Sequence, residues 1–311
     1  MVSRLTRENV GSGEVIVELR HLETLVAIDD EGTFTAAASA LRTVQSNVSE
    51  QVRQLETELG VTLLARGRGG ASATESGRVV LERARRIRRE IELLHEELAA
   101  LRGLRVGNAT FGVVGTASRW LVPQLVAHLR EEAPGVRLLV HEGASERLLA
   151  ELVGGDLALA VVTAPVQDPR VVFEHLADEP MVGLAPADTD IGDRAMSVTD
   201  LARHRLVLPP EVNPLRAEID AAAAKRGVQL DVPVEVEGIR LIADLVAAGA
   251  GIAVLPETAV PPVLDGLKVF AISDLPPRQL GLATLKGAPL SLADRAVRDA
   301  VLEIVGWTRR S

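Results

Sequence analysis

Apolar residues recur at helical spacing from the first structured stretch of the chain. Leu19, Leu22, Leu25, Val26 and Ala27 share one face of a predicted helix that Gly32 breaks. Thr33, Phe34 and Thr35 lead into an alanine-dense run over 36–41, which lets another helix approach closely, and 42–44 makes a short connection. A third helix is predicted over Gln45–Leu59. Its Val48, Val52, Leu55 and Leu59 are spaced four, three and four residues apart and turn to a core, and Gly60 ends it. The opposite face carries Ser46, Ser49, Glu50 and Arg53. Residues 61–73 then read as a Gly-rich hairpin holding Arg66 and Arg68.

A sharper pattern follows over 74–102. Val80, Ala84, Ile87, Ile91, Leu94, Leu98 and Leu101 are separated by alternating steps of four and three, the seam of a coiled-coil dimer helix. Arg83, Arg85, Arg86, Arg88 and Arg89 precede Glu90, Glu92, Glu96 and Glu97, so two antiparallel copies would set Arg against Glu. The alternative is one helix laying its stripe on its own domain. Beyond Gly103 short β-branched runs at 109–115, 137–141, 157–163, 171–176, 181–185, 206–208, 232–236 and 252–255 alternate with amphipathic helices, the pattern of a mostly parallel α/β domain. The expected division is a tail at 1–17, a helical domain at 18–73, the long helix at 74–102 and an α/β domain at 103–311.

Composition narrows the functions. The 311 residues include no cysteine, which excludes disulfides, thiolate catalysis and Cys-based metal sites. Residues 1–13 hold no apolar signal-peptide core, and no run of about 18 apolar residues exists to span a membrane, so a cytoplasmic protein is expected. The net charge of -9 argues against nucleic acid, yet between Arg42 and Arg89 ten arginines face five glutamates, a local balance of +5. On charge alone a solvated Arg-rich helix explains this as well as a DNA-binding face does. The polar face of the third helix adds what major-groove entry needs, and the arginine hairpin suits contact with phosphates or the minor groove. No nucleophile elbow, phosphate loop, zinc-protease pair or dinucleotide fingerprint is present. His95-Glu96-Glu97 lacks a second histidine, and His141, Glu142 and Asp156 are read as strand-end and loop residues, so no enzyme, metal or cofactor is expected.

The run from Leu19 to Ala27, then Glu31 to Ala38, Gln45, Val48-Ser49, Gln51-Val52, Leu55-Glu56, Leu59-Gly60, Leu63-Leu64, Arg66 and Thr74-Glu75-Ser76-Gly77 resembles the opening of LysR-type transcriptional regulators. The chain departs from that pattern at Val44, where a capping serine is common, leaving Thr43 or Ser46 as the expected cap. Ser46 stands for a proline, Leu64 for a phenylalanine, and Glu50 for a basic or neutral residue. The resemblance implies a winged helix-turn-helix, an antiparallel dimerisation helix and a two-lobed α/β effector domain similar to type 2 periplasmic binding proteins. It implies a homodimer or homotetramer on double-stranded DNA with an interrupted palindrome, a small polar or anionic effector, and contact with RNA polymerase. Gln45, Ser46, Ser49 and Arg53 are then expected to reach DNA, with Arg66 and Arg68 from the wing and Thr33 and Thr35 against phosphate. Lobe I would take about 103–178 and 281–311, and lobe II 179–280. A ligand beyond the carboxyl ends of the strands would meet Thr116, Ala117, Ser118, Thr163, Pro210, Glu211, Asn213 and Glu237, with Ser145 capping a helix over 146–153. A transport binding protein is the rival on the C-terminal fold alone, which the first hundred residues oppose.

Overall fold

The computed structural model describes residues 17–67, 70–101, 107–192, 194–261 and 263–308. Arg68 and most of the expected tail lie outside them, as do the side chains of Arg66 and Leu101. The chain divides into two compact units between Glu92 and Leu93, inside one long helix.

In the first unit α1 (Leu19–Glu31), α2 (Phe34–Ala40) and α3 (Gln45–Leu59) precede a hairpin of β1 (Leu64–Gly67) and β2 (Gly70–Ala73), and α4 (Glu75–Leu101) follows. Gly32 and Gly60 end α1 and α3 at φ of 72° and 69°, the left-handed geometry that glycine adopts without strain. Leu25, Ile28, Ala37, Val48, Leu55 and Leu63 are fully buried between the helices. The Glu56 carboxylate accepts the backbone N–H groups of Leu63 and Leu64 at 2.7 and 3.3 Å, which ties the start of the hairpin to the end of α3.

The start of α4 belongs to this core. Leu81 and Ala84 are buried in it, and Val80 packs against it. The first two positions of the expected seam, Val80 and Ala84, are therefore occupied within their own subunit. The reason lies in the hairpin: it returns the chain across the α1–α3 core, so the opening turns of α4 must cover that core. The arginines behave likewise. Arg85 is buried and donates to Asp29 at 2.9 Å and Asp30 at 2.7 Å, Arg86 pairs with Glu82, and Arg89 with Glu92. Much of the basic cluster expected to face a partner's glutamates already has an acid in its own chain.

The second unit begins with β3 (Gly107–Val114), α5 (Gly115–Glu132), β4 (Val136–Gly143), α6 (Ser145–Gly154), β5 (Leu159–Thr163) and β6 (Val171–Glu179). The chain then crosses at Pro180 to β7 (Met181–Pro186), α7 (Val198–Leu201), β8 (Arg205–Leu208), α8 (Pro214–Lys225), β9 (Asp231–Glu235), α9 (Ile239–Ala247), β10 (Ala253–Pro256) and β11 (Leu267–Ala271). It returns through β12 (Arg278–Leu285) and α10 (Leu292–Thr308). Lobe I is a five-stranded sheet ordered β4-β3-β5-β12-β6 with its own apolar core. Lobe II holds the sheets β10-β7-β11 and β8-β9 around a second core.

The expectation of a mostly parallel domain needs correction. β3 runs parallel to β4 and β5, and β8 to β9, but β12 is antiparallel to β5 and β6, and β7 is antiparallel to β10 and β11. The two crossings cause this. β6 leaves lobe I where β12 enters it, and β7 enters lobe II where β11 leaves it, so neighbours at the hinge run in opposite directions.

Candidate DNA interface and effector cavity

On α3 the apolar stripe is buried, and Gln45, Ser46, Glu50 and Arg53 are exposed on the other side, with Ser49 half-buried between them. Neither Thr43 nor Ser46 caps the helix: Val44 is the N-cap residue, and the Thr43 hydroxyl accepts from the Asn47 side chain at 3.1 Å. Gln45 donates to the Ser49 hydroxyl at 3.1 Å. Arg53 donates through Nε to one Glu50 oxygen at 2.9 Å and through Nη2 to the other at 2.5 Å, and Gln54 donates to the second oxygen at 3.0 Å. The Arg53 hydrogen bonds hold the Glu50 carboxyl below the usual carboxylate range. Glu50 thus lies along its own helix against Arg53.

Thr33 is the N-cap of α2, its hydroxyl accepting the Ala36 N–H at 3.1 Å, and Thr35 is exposed two residues on. On the hairpin Arg66 pairs with Ala71 in the β1–β2 register.

In the second unit Thr116, Thr163, Asn213 and Glu237 line one cavity of about 330 Å³ between the lobes. Ala117 is instead buried in the lobe I core, because it is on the inward side of α5. The Ser118 hydroxyl donates to the Gly115 carbonyl and borders a neighbouring hollow. Pro210 and Glu211 lie outside the cavity wall: the Pro210 carbonyl accepts the Asn213 N–H, and Glu211 is exposed. Asn213 is occupied as the N-cap of α8, accepting from Leu215 at 3.0 Å.

Ser145, expected as a cap, is the first residue of α6. Its hydroxyl bonds the Thr163 N–H at 3.0 Å and the Thr163 hydroxyl at 2.9 Å, joining α6 to the end of β5. Three charged wall residues, Glu142, Arg240 and Arg278, were missed as ligand candidates. Arg278 begins a strand, and in a parallel sheet a strand's first residue lies at the edge away from the ligand. β12 is antiparallel, so its first residue reaches the same sheet edge as the last residues of β3 and β5. Arg278 is buried, donates to Thr163 Oγ1 at 3.3 Å and to Glu218 at 3.2 Å, and lies 4.0 Å from Glu179. Arg240 of lobe II reaches Glu142 of lobe I at 3.2 Å, an exposed ion pair across the cleft. The Thr116 hydroxyl is buried in the wall with no hydrogen-bond partner among the described residues. Among those residues no group of three His, Asp or Glu side chains could hold a metal ion, and no helix is long and apolar enough to cross a membrane.

Glu179 ends β6 at the crossing, is almost fully buried, and accepts the Thr258 hydroxyl. Burial pushes its carboxyl up to about 7 despite Arg278. The folded state thus holds the proton more tightly than the unfolded chain. The resulting stability is present in full below about pH 4.5 and is lost as pH rises through about 7, on the order of 3 kcal/mol in all. Glu179→Gln should flatten this dependence. Both tryptophans, Trp120 and Trp307, belong to the second unit, so denaturation followed by their fluorescence between pH 4.5 and 8 reads the effect there. Parallel pH profiles for variant and wild type would refute it.

Residues 19–78 match the family of bacterial regulatory helix-turn-helix proteins, lysR family, and residues 102–305 match the LysR substrate binding domain. The chain belongs to the LysR family of transcriptional regulators. It is 30% identical over 292 residues to the hydrogen peroxide-inducible genes activator of Dickeya chrysanthemi, covering 92% of this chain and 95% of that one. Full-length OxyR from Pseudomonas aeruginosa superposes with a TM-score of 0.70 at 24% identity, over 92% of this chain and 98% of that one. CbnR in complex with its target DNA gives 0.64 at 19% identity, over 93% and 100%. Both likenesses bear on the fold. As a LysR-family member the chain is a DNA-binding transcriptional regulator whose C-terminal domain takes an effector.

Proposed function

We propose that this LysR-family regulator answers a small anionic metabolite held between the lobes, and acts in the cytoplasm by binding rather than by turnover. One observation carries the effector class. The first residues of α5, α6 and α9 line the same cavity, none of these helices has a side-chain cap, and the buried Thr116 hydroxyl and Arg278 share its wall. Uncapped helix starts leave N–H groups without intrahelical partners and carry partial positive charge, which an anion satisfies. The relative from Dickeya is named for hydrogen peroxide. This chain has no cysteine, so thiol–disulfide chemistry is not open to it, and reversible binding is the response that fits. On DNA, we assign Gln45, Ser46, Ser49 and Arg53 to the major groove and Arg66 and Arg68 to the flanking backbone. Thr33 and Thr35 would lie near phosphate, and Ile87, Ile91, Leu94 and Leu98 would join a homodimer, with a tetramer and RNA polymerase contacts built on it. Ligand shifts the lobes, and through them the spacing of the DNA-binding heads, to the extent that it binds one arrangement better.

Thermal melting of the full chain against a panel of carboxylates, sugar phosphates, neutral sugars and amines tests the effector class. An acid is expected to raise the melting temperature, by about 2.7 kcal/mol of stabilisation at a hundredfold excess over Kd. Thr116→Val should weaken that acid about tenfold, the value of one hydrogen bond to a charged group. Stabilisation by neutral or cationic compounds alone would overturn the proposal.

A further inference from the structure

We propose that Glu50 and Arg53 act as one base-reading unit, in which the Glu50 carboxylate orients the Arg53 guanidinium to grip a guanine in each half-site. The proposal rests on α3 being the recognition helix. An arginine has five N–H donors in a fixed plane. Glu50 takes the side edge, through Nε and one Nη2 proton. This leaves the end edge, one proton on Nη2 and one on Nη1, as a parallel fork, with the second Nη1 proton directed elsewhere. In the major groove that fork matches the O6 and N7 acceptors of guanine, whereas adenine sets an N6 donor against it. Gln54 donates to the same carboxylate from one turn further on, so Glu50 is itself held in place. Both residues are exposed on the polar side of α3, opposite Val48, Val52 and Leu55.

The pairing also explains an acid on a surface that must approach phosphates. A free Arg53 would attract any duplex. Paired with Glu50 it adds no net charge, so the unit contributes little to non-specific affinity and most of its effect to choice of base. A rigid fork also loses less side-chain freedom on binding than a free arginine does.

Selection of binding sites from a randomised duplex pool by the full chain, with sequencing of the bound fraction, tests this. The wild type should select one guanine at a symmetric position in each half-site. Arg53→Ala should erase that guanine. Glu50→Ala should weaken the preference there about tenfold, leave the other positions unchanged and raise affinity for unrelated duplex, with Glu50→Gln intermediate. A 7-deazaguanine at that base, which lacks N7, should weaken the wild type and leave Arg53→Ala unaffected. If Glu50→Ala keeps the guanine and raises affinity evenly at all sites, Glu50 only shields Arg53 and the proposal falls. If Arg53→Ala changes no base preference while Ser49→Ala does, the proposal fails and α3 remains the recognition helix. If neither changes any preference, the placement of α3 in the groove is what fails.

Discussion

Glutamate at Ile87, Leu94 and Leu98 together should turn the regulator into a monomer that no longer binds a two-half-site duplex specifically. These side chains are 42%, 54% and 45% exposed, large apolar groups on one seam of α4. Covering the exposed half of such a side chain is worth about 1 kcal/mol, and an association places three from each copy. A charge at each position removes that gain and adds the cost of taking carboxylates out of water. Even 4 kcal/mol of lost association raises Kd roughly a thousandfold. Sedimentation at micromolar concentration should therefore show monomers, while the pH and urea response of the tryptophans is unchanged. Ala84→Glu is the contrast. It is 2% exposed inside the first unit's core, so the substitution should unfold that unit rather than split a dimer. A triple variant that stays dimeric would place the interface elsewhere.

Arg85→Ala should cost the first unit about 3 kcal/mol and reduce DNA binding with it. The buried guanidinium bonds α4 to the end of α1, with Arg88 a further 3.8 Å partner of Asp30, and its removal leaves Asp29 and Asp30 without a cation from this residue. Breaking one side of a buried ion pair costs about 3–5 kcal/mol, and the partial exposure of the two aspartates sets the lower end here. A domain with 5–15 kcal/mol of stability loses much of its margin. Hydrogen exchange should show α1 and the first turns of α4 opening together, with tryptophan fluorescence silent because both tryptophans belong to the other unit's stretch of chain. A loss under 1 kcal/mol would mean that Leu81 and Ala84 alone dock the helix.

Helix α3 and the hairpin were legible because they depend on local signals: a four-three apolar spacing, a glycine that takes positive φ, and an arginine turn. The seam at Val80 and Ala84 misled for the same reason. Periodicity reports which face of a helix is apolar, and cannot tell a domain core from a partner subunit. Strand positions in the α/β domain were readable from β-branched runs, but direction is a long-range property. β11, Leu267–Ala271, has only Phe270 buried and carries no strong run. Not knowing that β12 is antiparallel hid Arg278, although Thr163 at the end of β5 was found. The bond from Ser145 to Thr163 joins residues eighteen apart through tertiary packing, which no capping rule contains. Glu50 was legible as a departure, and only geometry tied it to Arg53.

Hydroxyl-radical footprinting of the full chain on a selected duplex bears most directly on the idea that self-association along α4 presents two copies of α3 to DNA. Two protected stretches on one face of the duplex are expected, about ten base pairs apart or a multiple of that, both lost in the Ile87, Leu94 and Leu98 glutamate variant. A single protected stretch, unchanged in that variant, would contradict it.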